Sequence, residues 1–494
     1  MSTRTTTDPG AGSGAVLSRI EQRGIEPVPD HARNGCPGEL FWVWFAANIS
    51  ILGIPLGATL VALGLNLWQA LLVAAFGSFG SFAVVGLVSV AGRRGGAPSL
   101  TLSRAVFGVR GNAGPTLVAL LSRLGWETVN TMTGAFALLS LCAIVLGTSA
   151  DAHAVPLLAL ACIAVFVACT VVVAAAGHAL ILRVQKWATW VFGALTLLVA
   201  AYLLTTVSWG DLLDAPAGPT SAVVLGIGTI AAGTGIGWAT SGADMARYQR
   251  KEVSAGSLVL TAAAGAGIPL VVVIGLGSAL TMGDSAIATA ADPIAAVREA
   301  LPAWVAVPYL IAAFGGLLLS NHLSVYSAGL VTITLGVRVP RAWAVLVDVV
   351  VTTAGATYFM LGSDGFYGPF ITFISLLAVP LTAWAGVFLV DMLRRRTYDA
   401  DSLLELSPRS AYWYRAGIEP RALCAWLVGL VVGFVFVTAR PSEGTVWFSG
   451  PLADTVIGEN GLAWLVSLLL AAVLYAVLGG ARGSGATAAQ GNRP

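Results

Sequence analysis

Gly226-Ile-Gly-Thr-Ile-Ala-Ala-Gly-Thr-Gly-Ile-Gly237 is a run of small and apolar residues whose glycines recur at intervals of two. Glycine costs a helix interior about 1 kcal/mol relative to alanine, so two readings of the run stand. It is a seam where another helix backbone lies close, or an interruption whose freed carbonyls and amides meet a ligand. An earlier stretch, Asn48-Ile-Ser-Ile-Leu-Gly-Ile-Pro-Leu-Gly57, has the same character. Pro55 lacks an N–H and its ring clashes with the preceding turn, while Gly53 and Gly57 weaken the helix further. Counted along the chain, the two stretches fall in the first and sixth apolar segments. Interrupted segments at equivalent places of two halves predict an inverted repeat of five plus five helices with a site near the bilayer midplane. That placement favours the ligand-binding reading.

Composition supports the count. Of 494 residues, 57% are hydrophobic and only 10% charged, far below the roughly 25% charge of soluble domains. About twelve stretches reach the length of roughly 20 apolar residues that a membrane-spanning helix needs. They are placed near 39–64, 66–92, 111–146, 155–177, 184–207, 221–243, 256–282, 303–335, 341–361, 369–392, 422–438 and 460–480. The run 111–146 is long enough to hold a non-spanning turn as well. The alternating ten-residue strands of an outer-membrane barrel are absent. The expected fold is therefore an all-α integral membrane protein with a transporter domain over 39–480. Its two repeats cover 39–207 and 221–392, and two additional helices cover 422–480.

Residues 1–38 are polar and rich in Gly, Ser, Thr, Pro and Arg, with no apolar core for a cleavable signal. They read as a cytoplasmic disordered tail, as does 481–494. With the N-terminus inside, Arg93, Arg94, Arg183, Lys186, Arg247, Lys251, Arg338 and Arg394 to Arg396 all fall on the cytoplasmic side. Asp151, Asp211, Asp284, Asp292, Asp364 and Glu459 fall outside. Shifting the count by one helix destroys this positive-inside asymmetry. The location that follows is a cytoplasmic membrane, crossed many times, with both termini inside. The five cysteines are scattered without a CxxC, which gives neither a disulfide framework nor a zinc site.

The third segment carries Arg123-Leu-Gly-Trp-Glu-Thr-Val-Asn130 where lipid or protein should surround it. Trp126 and Asn130 share a helix face at the i, i+4 spacing, setting a flat stacking surface beside a group that both donates and accepts hydrogen bonds. Trp238 follows the glycine run directly, and Asn321 interrupts the eighth segment in Leu319-Ser-Asn-His-Leu-Ser-Val-Tyr-Ser327. If the three stretches converge, two indoles can sandwich a planar heterocycle, with stacking worth about 0.5–1.5 kcal/mol beyond burial. Asn130 and Asn321 can then pair with its N–H and C=O edges. The plainer readings are helix–helix hydrogen bonds for the asparagines and interfacial anchoring for most of the 15 tryptophans.

Ionisable residues in hydrocarbon are functional candidates. Glu127 stands at i, i+4 from Arg123, which allows either a neutralising ion pair or a carboxylate that takes up and releases a proton. Asp244, in Asp244-Met-Ala-Arg-Tyr248, suits a structural or gating salt bridge to Arg104 or Arg247 and is the second candidate for coupling a proton. Asp348 has no partner by sequence. His178 and His322 read as hydrogen-bonded residues before proton sites. No Walker loop, HExxH or nucleophile elbow occurs, so an enzyme is disfavoured. No cofactor, metal, nucleic-acid or protein partner is implied.

These residues together resemble the nucleobase–cation symporter family, the purine, cytosine and hydantoin permeases, over about residues 21–480. The resemblance rests on Gly24-Ile-Glu-Pro-Val-Pro29, Ser103-Arg-Ala-Val-Phe-Gly108, Gly125-Trp126 with Asn130, Gly237-Trp-Ala-Thr with Ala243-Asp-Met-Ala-Arg-Tyr248, and Asn321 with Tyr326-Ser327. It implies a LeuT-type fold, two inverted five-helix repeats plus two C-terminal helices, and uptake of a heterocycle with a proton or sodium. Transport in such permeases rocks a four-helix bundle against a scaffold. The resemblance also implies that Trp126, Asn130, Trp238 and Asn321 hold the substrate. Sodium-coupled members place hydroxyls five and six residues before the substrate Asn, where this chain has Gly316 and Gly315. Protons are therefore the expected coupling ion. Glu127 beside the stacking Trp and His322 after the Asn are further departures. The leading expectation is import of cytosine or a purine. Allantoin, hydantoin, thiamine or a pyridine-type vitamin remain as alternatives, and a non-transporting sensor is weakened by the lack of a signalling domain.

Overall fold

The computed structural model describes residues 23–283, 297–299, 301–337, 339–363, 367–441 and 444–479. Asp284, Asp292, Arg338, Asp364 and the tail 481–494 lie outside the described residues, as does the tail before residue 23.

Eighteen helices are used below. The first half holds α1 Pro37–Asn48, α2 Gly53–Ala62, α3 Leu67–Gly95, α4 Ser99–Phe107, α5 Ala113–Leu146, α6 Pro156–Ala176, α7 His178–Thr205 and α8 Trp209–Leu213. The second holds α9 Thr220–Ala231, α10 Gly242–Ala246, α11 Ala255–Gly283, α12 Ala303–Thr334, α13 Arg341–Leu361 and α14 Tyr367–Arg394. After these come α15 Ala400–Leu404, α16 Pro420–Phe434, α17 Val456–Glu459 and α18 Ala463–Leu478. Thr438–Ala439 and Phe448–Ser449 form a two-stranded antiparallel ribbon, β1 and β2, with Thr438 opposite Ser449.

Among the described residues nine helices are long and apolar enough to cross a bilayer, and the bent pair α1–α2 makes a tenth. The eleventh and twelfth expected segments are α16 and α18, of 15 and 16 residues, shorter than the roughly 20 that span hydrocarbon untilted. The turn expected inside 111–146 is not there. α5 runs unbroken for 34 residues to a left-handed Gly147 (φ 66°), and the irregularity comes before it, as the buried helix α4.

Both interruptions exist, and they differ in kind. α1 and α2 meet at 63°. Pro55 falls in the first turn of α2, where its missing N–H has no intrahelical partner to lose, so the break lies just ahead of it. In the sixth span α9 passes into a π-helical turn at Ala232–Ile236 and a 3-10 turn at Ala239–Ser241 before α10 resumes. This span is mis-wound rather than sharply bent, and π-turns of this kind recur at functional sites. The packing reading of the glycines also holds. A Cβ on Gly57 would meet the Ser278 amide nitrogen of α11 at 2.6 Å, and one on Gly235 would meet the Phe82 nitrogen of α3 at 2.7 Å.

Helices five spans apart pack together: α3 with α11, α5 with α12, and α6 with α13. α1 and α2 also lie along α11, and α9 and α10 along α3. Spans one, two, six and seven thus form one bundle. Spans three, four, eight and nine form a second group beside it, with α14, α16 and α18 packed on one another. The bundle centres on Trp44, Phe82, Leu258 and Ile274, all with negligible exposure.

At the end of the helices where the strap of residues 23–36 lies, buried arginines close helix ends. Arg104 on α4 donates to the Leu403 carbonyl at 2.7 Å and the Thr334 carbonyl at 2.6 Å, oxygens at the C-termini of α15 and α12 that have no intrahelical donor. Residues 23–36, part of the stretch expected to be a loose tail, instead form a strap. The Val28 amide donates to the Gly96 carbonyl, Arg33 to the Arg93 carbonyl, and Arg247 to the Gly24 carbonyl. Composition hid this, since only Ile25 and Val28 anchor it apolarly. On the strap's outer side Lys251 Nζ lies 2.7 Å from Asp30 and holds that carboxyl below its ordinary range.

Candidate functional site

The mis-wound sixth span, the break after α1 and the middle of α5 converge on one internal cavity of about 50 Å3. Trp126 and Asn130 enter from α5, Gly233, Thr234 and Trp238 from the sixth span, and Asn48, Ser50 and Gly53 from the break. Ligand pockets are typically about 300–1000 Å3, so this cavity is contracted around its lining.

Trp126 stands edge-on to Phe370 of α14, with ring centroids 4.9 Å apart at 85°. Trp238 is braced from the other side by Trp44, at 5.6 Å and 71°. Asn130 is 1% exposed, and neither its amide nitrogen nor its oxygen has a protein partner. Leaving a buried polar group unsatisfied costs about 1–3 kcal/mol. Such a group marks a place where a ligand or water belongs.

Three of the four residues expected at the substrate thus meet, and the fourth stands apart. Asn321 does not line the cavity; its amide donates to Thr170 Oγ1 of α6 at 3.2 Å, and its own oxygen has no partner. Its neighbour Ser320 lines the cavity instead. Adjacent helical residues point about 100° apart, so one residue of rotation separates the two.

The expected ion pairs are not formed. Arg123 does not bridge Glu127. Its guanidinium donates to the Gly237 carbonyl in the irregular stretch and lies 4.4 Å from the Trp238 ring. Glu127, fully buried, turns to α12 and accepts from Ser324 Oγ at 3.0 Å. The i, i+4 spacing permitted a pair, but the carbonyl and the indole face took the cation. Asp244 bridges neither Arg104 nor Arg247. It accepts from the Ser99 amide at 2.8 Å and from Ser327 Oγ at 2.6 Å, while Arg247 donates to Gly24 and to the Tyr326 hydroxyl at 2.7 Å. Asp348 accepts from Thr332 Oγ1 at 3.1 Å. His322 Nε2 lies 3.4 Å from the Cys169 carbonyl, and His178 stacks on Tyr248 at 4.6 Å.

At Gly315 and Gly316, where the resemblance would place sodium-binding hydroxyls, the space is filled. The Phe192 ring of α7 packs against Gly315, and a Cβ on Gly316 would lie 3.1 Å from the Ile49 carbonyl. Sequence reasoning missed Phe370, Asn48, Ser50, Thr234 and Ser320 as lining residues. Asn48 and Ser50 carried a signal, being polar groups inside the broken first segment. Phe370 carried none, being an aromatic in a plain apolar run.

The sequence model of a permease family for cytosine/purines, uracil, thiamine and allantoin matches residues 27–466. The putative purine-cytosine permease YxlA of Bacillus subtilis is 25% identical over 477 residues, covering 93% of this chain and 96% of its own. The purine-cytosine permease FCY21 of Saccharomyces cerevisiae is 29% identical over 270 residues, 53% of this chain and 48% of its own. Among solved structures, Mhp1, a nucleobase-cation-symport-1 family transporter in a closed conformation with bromovinylhydantoin bound, superposes with a TM-score of 0.73. The two share 20% identity, over 92% of this chain and 93% of that one. Its inward-facing form gives 0.67.

Proposed function

We propose, on the premise that this chain belongs to the permease family for cytosine/purines, uracil, thiamine and allantoin, that it imports cytosine or a purine together with protons. It is a multi-pass membrane transporter of the LeuT-type fold, and not an enzyme.

The observation that carries the substrate reading is Asn130, an amide with its whole hydrogen-bonding capacity unspent, on one face with Trp126 and across a cavity from Trp238. A nucleobase presents a flat π-face to the indoles and adjacent N–H and C=O groups to the amide. Asn321 supplies a second acceptor once its helix turns by about one residue, the rotation that separates it from Ser320. Substrate and a coupling cation bind from outside, with both termini on the cytoplasmic side. The bundle then rocks on the scaffold. Inner opening must break the contacts that join the two: Arg123 on Gly237 and Trp238, Asp244 and Ser241 on Ser327, and Arg247 on Tyr326.

Two observations favour protons. The position of a sodium-binding hydroxyl pair holds Gly315 and Gly316, both packed against neighbours. Glu127, one residue from the stacking Trp126, keeps its second carboxyl oxygen without a partner. A second reading, a hydantoin or ureide ring, is favoured by the fold neighbour with a bound hydantoin, and the same amide and indoles would serve it.

The test is uptake of radiolabelled cytosine and hypoxanthine into cells lacking their own permeases. Unlabelled adenine, uracil, allantoin and hydantoin compete, at two outside pH values, with sodium or choline. Uptake stimulated by acid outside and indifferent to sodium supports the proposal. Uptake that requires sodium overturns the coupling, and competition by hydantoin or allantoin alone overturns the substrate.

A further inference from the structure

Asp348 is a buried carboxyl that substrate binding does not use. It sits on α13, 3% exposed, seven residues past the start of that helix at Arg341. Its Oδ1 accepts from Thr332 on α12 at 3.1 Å, and its Oδ2 has no partner. Glu127 is held in the same way: Oε1 accepts from Ser324 of the same helix at 3.0 Å, and Oε2 is free of partners. Neither has a cation within ion-pair distance among the described residues. The two hydroxyls are eight residues apart, about 12 Å along the helix axis, with Thr332 next to the cytoplasmic end of α12.

We propose that Glu127 and Asp348 are two stations of one proton route, running from the substrate cavity to the cytoplasm along the inner part of α12. The inference rests on the proton-coupled reading above. Ser324 and Thr332 each fix one oxygen of a carboxyl and leave the other to take the proton. In transport the O–H bond on Glu127 breaks as a relay of several waters takes the proton along the roughly 12 Å between the two hydroxyls, the O–H on Asp348 forms at its far end, and Asp348 then releases the proton inward.

Among the charged and titratable groups on helices packed against α12, α7 carries His178, Arg183 and Lys186, and Arg104 of α4 donates to the Thr334 carbonyl beside Thr332. Arg123 lies on the helix of Glu127, and His322 comes from α12 with the two hydroxyls. Asp244 from α10 accepts from Ser327 of α12. α6 contains no charged residue, and α14 carries Asp391 and Arg394 in its last turn. Both stations belong to the scaffold, so the route survives the rocking of the bundle. Asp244, by contrast, accepts its hydrogen bond from Ser327 across the moving interface.

The test has an arm that needs no substrate. Infrared difference spectra of the purified protein between acid and alkaline pH should show a carboxyl C=O band that is lost or shifted in both Glu127→Gln and Asp348→Asn. In proteoliposomes with an imposed pH gradient, Asp348→Asn should lose at least tenfold of gradient-driven hypoxanthine accumulation and keep hypoxanthine exchange within about twofold. Asp348→Glu should restore accumulation. If Asp348→Asn does not fold, Thr332→Val replaces it, and a shift in the pH profile of accumulation is expected. A band unchanged by Asp348→Asn, or wild-type accumulation and pH profile in both variants, overturns the route. Wild-type protein that exchanges hypoxanthine but never accumulates it on a pH gradient overturns the coupling itself, and the route with it.

Discussion

Replacing Asn130 with Ala should move stability and affinity in opposite directions. The buried amide bonds to no protein group among the described residues, so its removal breaks no intramolecular hydrogen bond and, for any part of it left without water, relieves a penalty of up to about 1–3 kcal/mol. Shortening the side chain leaves a small void that offsets part of the gain. The melting temperature of the detergent-purified protein should therefore stay level or rise. Binding should suffer, because two hydrogen bonds to the ligand vanish, each worth about 0.5–1.5 kcal/mol net. Together these amount to roughly 1–3 kcal/mol, or about 5- to 150-fold in Kd. Asn321→Ala breaks an existing bond to Thr170 and should lower the melting temperature. Paired measurements, a scintillation binding assay with tritiated hypoxanthine and a fluorescence melt, separate the two variants. An Asn130→Ala protein that melts lower than wild type while binding hypoxanthine normally would refute the assignment of this amide to substrate.

Other expectations follow from single contacts. Gly57→Val should prevent folding, because its side chain meets α11 backbone at Ser278 and Gly277 rather than movable atoms; loss of the monodisperse peak in fluorescence size-exclusion chromatography checks it. Asp244→Asn leaves one oxygen to serve both Ser99 and Ser327, a loss of about 1–3 kcal/mol. It should weaken inner closure, seen as faster labelling of a cysteine placed at Ser241 by a membrane-permeant maleimide; an unchanged rate counts against a latch. Trp238→Ala should raise the KM for uptake several-fold and remove the face on which Arg123 rests, whereas Trp238→Phe should retain most affinity. Replacing sodium by choline should leave uptake within about twofold.

Much of the fold was legible because the bilayer imposes simple rules. Apolar length marked most of the spans, and Pro55 with its flanking glycines marked the first break. The glycine run marked the second disturbance but not its form, since a π-turn and a kink begin from the same residue types. For the site, Trp126 and Asn130 were legible because one helix face fixes their relation. Pairing was not. Arg123 and Glu127 are near in sequence, yet their partners come from the sixth and eighth spans, which local spacing does not reveal. The strap was missed for the opposite reason: its hold on the molecule is mostly backbone hydrogen bonds, which leave little trace in composition.

The contracted cavity has a kinetic consequence. A space of about 50 Å3 is small against the roughly 300–1000 Å3 of a ligand pocket, so the walls must separate for a ring to enter, and the apparent Kd is the intrinsic one divided by the fraction of molecules with the walls apart. Association should then depart from simple second-order behaviour. As substrate concentration rises, the observed rate should level off at the frequency with which the protein opens, and mutations that loosen the walls should raise that ceiling without touching any group that contacts the ring.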